Sequence, residues 1–305
     1  MKVVAAGATG FVGRALVPEL VRAGHEVVVL SRRPGVSGIA ACGAREVAWD
    51  GETVSPHWSA EIAGAGSIVN LAGVNIGSAP WTRARREAIR NSRVRSTGAL
   101  VRAMAALPAG SRPESLVSAS GVGFYGDRGD DVLGEDAHPG TGFLAETCVA
   151  WEATALEAEA LGVRTVLMRT AVVLGKGALQ VFLIALPFRL FAGGPLGDGQ
   201  FWFPWVHRDD IAGLYKWAIE NRDVRGPVNA AAPDVRRQRD FALEMGHALG
   251  RPSWFPTPAS ALRLALGEFS SLILYGQRVD ARIAAAHGYA WRYPSLPEAL
   301  ADALG

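Results

Sequence analysis

GATGFVG, residues 7–13 of the opening stretch MKVVAAGATGFVGRALVPEL, sets the glycines Gly7, Gly10 and Gly13 three residues apart. The residues on either side identify the kind of turn. Lys2 to Ala6 is a short apolar run centred on valines, as in a buried parallel strand, whereas Phe11 to Ala23 carries Phe11, Ala15, Leu16 and Leu20 at helical spacing. The glycines therefore lie on a strand-to-helix turn. Gly24 stops the helix as a C′ residue would, and EVVVL, Glu26 to Leu30, reads as the next strand, so a βαβ unit closes within about 30 residues. In such a unit the first glycine permits the tight turn, the second lets backbone N–H groups approach a pyrophosphate, and the third lets helix and strand pack closely. The helix N-terminus then offers unpaired N–H groups and a partial positive charge to an anion. Pro18 breaks a local rule by removing the N–H that would bond the carbonyl of Arg14, and predicts a bend.

A glycine triplet is also compatible with an ordinary βα turn, so the end of the second strand is the independent test. A site for NAD usually has an acidic residue about 20 residues after the glycines to hold the ribose 2′-hydroxyl. Here the sequence is SRRP, Ser31 to Pro34. One hydroxyl and two guanidinium groups suit a 2′-phosphate, which Arg binds bidentately, and offer nothing that selects a bare hydroxyl. The reading is NADP(H), with Gly7, Thr9, Gly10, Phe11, Val12 and Gly13 at the pyrophosphate turn and Ser31, Arg32 and Arg33 at the 2′-phosphate. The plain alternative for SRRP is a solvated basic loop.

The 305 residues can bury a sizeable core, as one large domain or two intimate ones. With 49% hydrophobic and 20% charged residues the composition is that of a globular protein. A net charge of +2 creates no strong field for nucleic acid or an anionic membrane, and neither is expected as a partner. The longest apolar stretch, ALQVFLIALPFRLFAGG from Ala178, is interrupted by Pro187 and Arg189 and is too short between them to span a bilayer. No signal-peptide pattern opens the chain, which makes a cytoplasmic location the expectation. Cys42 and Cys148 lack metal-ligand spacing and are expected to be free thiols, and the six histidines form no cluster that suggests a metal.

Further along, SIVNLAGV (from Ser67), SLVSASGV (from Ser115), RTVLMRTAVVLG (from Arg164) and GPVNAAAP (from Gly226) have strand character. Helical patterns lie between them, at Ala79 to Ala106, Phe143 to Leu161 and Asp209 to Glu220. This alternation predicts an α/β fold, a doubly wound parallel sheet of the Rossmann type, with its ligand at the C-terminal ends of the strands. The expected division is a Rossmann domain over residues 1–170, to which residues 205–228 return, and a smaller substrate-side domain over residues 171–305.

With these residues in place, the chain resembles the extended short-chain dehydrogenase/reductases, the superfamily of nucleotide-sugar epimerases and dehydratases. GATGFVG, NLAG from Asn70, SASGVGFYG from Ser118 and WVHRDDIAGL from Trp205 carry the likeness. It is most similar to an atypical branch described only as epimerase family proteins. There NLAGVNI precedes Trp81, an Arg-rich helix and Ser92-Arg93, and is followed by GFLAETCVAWE and a C-terminal domain of unknown function, here from about residue 250. The resemblance implies that Leu71, Ala72, Gly73, Ser118 and Val172 also line the cofactor. It further implies catalysis by a Tyr, with a Lys four residues later and a Ser nearby. None of the five tyrosines has a Lys at that spacing: Phe143 stands near the Tyr place and Thr147 or Cys148 near the Lys place.

A replacement proton donor was sought among nearby residues. Ser120 and Tyr125 follow the fifth strand, with Tyr125 the first candidate, and Glu146 and Glu152 lie on the neighbouring helix; the alternative is that Tyr125 packs the loop and Ser120 satisfies backbone groups. Arg83, Arg86, Arg90 and Arg93 share one helical face, most simply a solvated one, although Arg93 with a neighbour suits a phosphate or carboxylate. His207, beside two aspartates, and the aromatics of FWFPWVH, Phe201 to His207, are expected to be structural. The sequence thus predicts an NADP(H)-dependent oxidoreductase or epimerase for a small polar substrate, with an anionic one in view. The alternative is an NADPH-holding protein with little turnover whose bound state is sensed by a partner.

Overall fold

The βαβ unit forms where the glycine spacing places it. In the computed structural model, which describes residues 1–305, strand β1 (Lys2–Ala6) leads through the turn into helix α1 (Phe11–Arg22) and then strand β2 (Glu26–Ser31), parallel to β1. Gly24 adopts φ +81°, its N–H bonding Val21 O at 2.9 Å while His25 N–H bonds Leu20 O at 3.1 Å. This is the paired bonding of a Schellman stop, and it explains why the helix ends one residue before the glycine. Contrary to the sequence-based expectation of a break, α1 runs through Pro18 as one element.

Next come strand β3 (Arg45–Ala48), the one-turn helix α2 (Pro56–Ser59), strand β4 (Ser67–Asn70) and helix α3 (Arg83–Ala105). They are followed by strands β5 (Ser115–Gly121) and β6 (Val132–Leu133), helix α4 (Phe143–Leu156), and strands β7 (Arg164–Thr170) and β8 (Val172–Leu174). Helix α5 (Leu179–Arg189), strands β9 (Trp202–Phe203) and β10 (Trp205–His207), helix α6 (Arg208–Glu220), strand β11 (Gly226–Ala230) and helix α7 (Gln238–Leu249) complete the part before the tail. Seven of these strands form one parallel sheet in the order β11-β7-β5-β4-β1-β2-β3. The direction of winding reverses between β1 and β4, which opens a crevice at their C-terminal ends, the usual ligand position in a doubly wound sheet.

Successive residues of β1 face opposite layers. Val3 and Ala5 pack with Leu16 and Leu20 of α1 and Ile211 and Leu214 of α6, while Val4 and Ala6 pack with Leu100 and Met104 of α3 and Ala155 of α4. A strand buried on both faces must be apolar throughout, as its sequence is. A third cluster, around Leu174, Phe188, Trp205, Phe241 and Leu300, joins β8, α5, β10, α7 and the helix Leu296–Leu304.

Three boundaries differ from the periodicity. Helix α3 begins at Arg83 rather than Ala79 because Thr82 caps it, accepting from Arg85 N–H at 3.2 Å. Helix α4 ends at Leu156, with a separate 3₁₀ turn at Glu159–Leu161. The run from Arg164 is two strands: the Ala171 N–H turns to Ala230 O at 3.1 Å, and β8 then pairs with β10 outside the main sheet.

His207 holds the start of α6. Its Nδ1 accepts from Asp209 N–H at 3.2 Å, its Nε2 meets the Asp302 carboxylate at 3.1 Å, and the ring is fully buried. An Nδ1 that accepts leaves the proton on Nε2, so the ring is neutral. Burial pushes its pKa below the ordinary histidine value, against the opposing pull of Asp209 and Asp302. The unfolded chain therefore takes up the proton first, and the contribution present above about pH 6.5 is lost as the pH falls below it. Thermal melts between neutrality and mild acid should show a falling Tm, with a shallower fall in His207→Asn, which retains a capping acceptor and cannot titrate; equal slopes would exclude this role for His207.

Candidate functional site

The glycine turn is built for backbone approach. Gly7 has φ +72°, and a Cβ there would lie 2.6 Å from Ala72 Cα, so the β1 exit can touch the β4 exit only without a side chain. At Gly13 a Cβ would lie 2.1 Å from Ala8 O, which ties α1 to the turn. Gly10 is different: its nearest obstacle is Gly7 O at 3.5 Å, and its backbone is extended. The space before it is open. Gly10 is the N-cap of α1, and neither a capping side chain nor an acidic residue occupies the first turn. The N–H groups of Phe11, Val12 and Gly13 therefore point at a place where an anion would complete the helix.

At the end of β2, Ser31 is buried and its hydroxyl accepts from Arg33 N–H at 3.2 Å, which fixes the turn. The guanidinium groups of Arg32 and Arg33 are exposed. Neither appears in an ion pair, although nineteen ion pairs form elsewhere in the chain. Across β1, the β4 exit is held by Asn70, whose Oδ1 accepts from Ala72 N–H at 3.1 Å and whose Nδ2 donates to Thr97 at 2.8 Å. Leu71, Ala72 and Gly73 thus border the crevice on a fixed loop. Ser118 at the end of β5 is fully buried and 3.4 Å from Asn70 Nδ2.

The expected proton donors are occupied elsewhere. Tyr125 has no exposed surface; its hydroxyl donates to Asn229 Oδ1 at 2.7 Å and accepts from Arg169 Nη1 at 3.0 Å. Burial raises its pKa, which the nearby Arg169 cation only partly opposes. Ser120 donates to Glu152 Oε1 at 2.6 Å, and Glu152 takes both Nε and Nη2 of Arg169 at 2.9 Å. Arg169 also donates to Glu135 O at 3.0 Å and stacks 3.5 Å from the Phe124 ring centre. The expectation that Tyr125 and Ser120 supply catalytic protons is thus corrected: both hydroxyls are spent inside a buried network joining the β5 exit to α4, β7 and β11.

On α4 the Tyr and Lys places are closed off as well. Phe143 packs edge-on against Trp81 at 5.0 Å, and Trp81 in turn meets Phe269 at 5.5 Å. The Cys148 thiol is buried, donates to Gly121 O at 3.7 Å and is pushed up to about 11, chiefly by burial, so it stays protonated. Both cysteines are free thiols. The arginine face of α3 divides: Arg83 pairs with Glu87 at 3.1 Å and Arg86 with Glu268 at 2.6 Å, Arg90 is exposed, and Arg93 turns inward. Sequence reasoning missed Arg169 and its partners, although RTVLMRT carries a signal: an arginine within an apolar strand needs a buried anion.

A sequence model of the NAD dependent epimerase/dehydratase family matches residues 3–231, and one of a domain of unknown function, DUF1731, matches residues 257–303. The chain is 38% identical over 300 residues to the "Epimerase family protein SDR39U1 homolog, chloroplastic" of Arabidopsis thaliana, covering 98% of this chain and 86% of that one. It is 35% identical to "Epimerase family protein YfhF" of Bacillus subtilis, covering 100% of this chain and 98% of the relative. Among solved structures it is similar to human epimerase family protein SDR39U1 (isoform 2) with NADPH, with a TM-score of 0.86, 32% identity and 99% of each chain covered. The resemblance stated from the motifs therefore holds, as does the doubly wound fold.

The buried network makes a prediction of its own. Tyr125→Phe leaves Asn229 Oδ1 without its donor and should lower the unfolding free energy by about 1–3 kcal/mol in a denaturant titration. Dinucleotide affinity should be unchanged, and a loss of affinity with stability intact would return the hydroxyl to the site.

Proposed function

Because the chain belongs to the NAD dependent epimerase/dehydratase family, we propose that it is an NADP(H)-binding oxidoreductase or epimerase of the extended short-chain dehydrogenase/reductase type, acting on a small polar substrate. One observation carries this reading: the uncapped N-terminus of α1 opens on the same crevice edge as the unpaired guanidinium groups after β2. The residues present fit the cofactor. The N–H groups of Phe11, Val12 and Gly13 bind the pyrophosphate, with Gly7, Thr9 and Gly10 shaping the approach, and Ser31, Arg32 and Arg33 hold the 2′-phosphate. Leu71, Ala72, Gly73, Ser118 and Val172 border the path toward the nicotinamide. When bound, the cofactor supplies a hydride at its nicotinamide C4.

The proton that must accompany a hydride comes from outside the expected set. Tyr125, Ser120 and Cys148 are each committed to a buried partner, so hydride transfer either is slow or draws its proton from a group outside α4. The same commitment favours a second reading, an NADPH-holding protein with little turnover, sensed by a protein partner. Oxidation of bound NADPH by carbonyl compounds or nucleotide sugars separates the two. We assign residues 1–170, with 205–228, to the cofactor and residues 171–305 to the substrate side. The cytoplasm is the proposed location, on the two unpaired thiols.

Two substitutions test the cofactor reading. In Gly10→Val the Cβ itself has room, but the branches enter the space before α1, so the variant should keep its Tm and lose NADPH binding in calorimetry. Arg32→Ala/Arg33→Ala should erase a preference for NADPH over NADH of one to several powers of ten, as two charge-assisted contacts of about 1.5–3 kcal/mol each supply when partly screened. Equal affinity of the unmodified protein for both nucleotides would make SRRP a solvated loop.

A further inference from the structure

We propose that Arg93 supplies, from α3, the cation that α4 lacks, and that its free N–H groups hold the ribose hydroxyls on the nicotinamide side of the bound dinucleotide. The proposal rests on the NADPH reading above and adds a residue to the site. Its basis is where Arg93 lies and what its guanidinium leaves unpaired.

The sheet order fixes the direction in which a dinucleotide runs. The 2′-phosphate end belongs to β2 and the pyrophosphate to β1, so the nicotinamide half continues over the exits of β4 and β5. Arg93 lies there. A Cβ on Gly73, at the β4 exit, would be 3.2 Å from the Arg93 Cζ, so the loop is bare of side chain where the guanidinium passes beneath it. The guanidinium lies 5.0 Å from the ring centre of Trp151. Trp151 follows Cys148 by three residues and shares its face of α4, so Arg93 lies against the same face as the Lys place. An α3 residue thus reaches the surface from which the α4 cation is missing.

Only one arm of the fork is used by the protein. Both hydrogen bonds leave from Nη1, to Val74 O at 3.1 Å and Ile89 O at 2.9 Å. A guanidinium has five N–H groups, so Nε–H and both Nη2 hydrogens are without a protein acceptor. No carboxylate pairs with Arg93, whereas its neighbours Arg83, Arg86 and Arg95 all have one. Burial lowers its pKa to about 10, with only Cys148 acting in the opposite sense and Arg85 adding to the fall. An unpaired cation held in a half-buried place by two carbonyls and an aromatic face is costly unless a ligand completes its bonding. Arg rather than Lys suits this place, because one edge of its planar fork can be anchored while the other meets two adjacent hydroxyls.

The test compares two ligands on three proteins. NADPH carries both halves of the dinucleotide, whereas adenosine 2′,5′-bisphosphate carries only the adenine half. Calorimetry with the unmodified chain, Arg93→Met and Arg93→Lys is expected to show Arg93→Met binding NADPH about 10- to 100-fold more weakly, at the size of one lost charged hydrogen-bonding group. Its affinity for the bisphosphate should equal that of the unmodified chain, and Arg93→Lys should recover part of the NADPH loss. Unchanged NADPH affinity in Arg93→Met would overturn the proposal and give Arg93 to a substrate anion or to packing. An equal loss for both ligands would overturn it too, as the mark of a structural role, and Arg93→Lys with an intact melt covers the case in which the methionine variant does not fold. Failure of the unmodified chain to bind either ligand would sink the cofactor reading beneath it, before any substitution is made.

Discussion

The ion pair of Arg169 and Glu152 is the interaction on which the centre of this molecule turns. Both side chains are buried, and the two are joined through two hydrogen bonds of 2.9 Å. Taking two charges out of water costs several kcal/mol per ion, so such a pair persists only where further hydrogen bonds complete it. Here Ser120, Tyr125 and Glu135 O provide them, and through Asn229 the chain of bonds reaches Leu133 O and Asp280 O. β5, β7, β11, α4 and the tail are thereby fixed to one another by polar groups that cannot be removed singly. The consequence for chemistry is direct. The hydroxyls nearest to where a proton donor is expected are the ones the network needs, so structural demand has consumed the usual catalytic complement.

The cofactor side is built on a different principle and does not depend on that pair. It consists of close backbone contacts, Gly7 on the Ala72 loop and Gly13 on Ala8, around one opening at Gly10. A pocket of this kind selects an anion by geometry and helix polarity, without charged side chains at the phosphates. Charge enters only at the rim, through Arg32 and Arg33. A chain can therefore keep its dinucleotide cradle while its α4 helix becomes apolar, since none of the contacts that shape the glycine turn involve Phe143 or Cys148.

How far the sequence could be read follows from the range of the interactions. The βαβ unit was legible because its determinants are local: valine runs, glycines at fixed offsets and Gly24 at the helix end lie within about 30 residues. The absence of a Tyr and Lys pair was legible for the same reason. The fate of Tyr125 was not, because its partners Asn229 and Arg169 are 104 and 44 residues away. The tail was also beyond local patterning. Asp210 receives Arg292 N–H at 2.7 Å and Tyr293 N–H at 2.9 Å, and Arg292 pairs with Glu19 at 2.6 Å, so GYAWRYPS docks across α6 and α1 through contacts no period announces. Only Arg169 left a readable mark, a charge where a buried strand should have none.

These features together explain how a positive charge at the crevice can move between helices. A lysine on α4 would have to share its surroundings with Glu152 on the next turn of the same helix, and Glu152 is already neutralised by Arg169. A side chain arriving from α3 meets no such competition. Arg93 approaches from the opposite wall, is anchored by carbonyls of its own helix and of the β4 loop, and is backed by Trp151. The aromatic contacts of Trp81 with Phe143 and Phe269 then hold the α3 and α4 N-termini together with the tail, setting the width of the gap the guanidinium must bridge. The apolar residues at the old Tyr and Lys places are thus part of one arrangement with Arg93, in which the helix that lost its charge became the packing surface for a charge supplied by its neighbour.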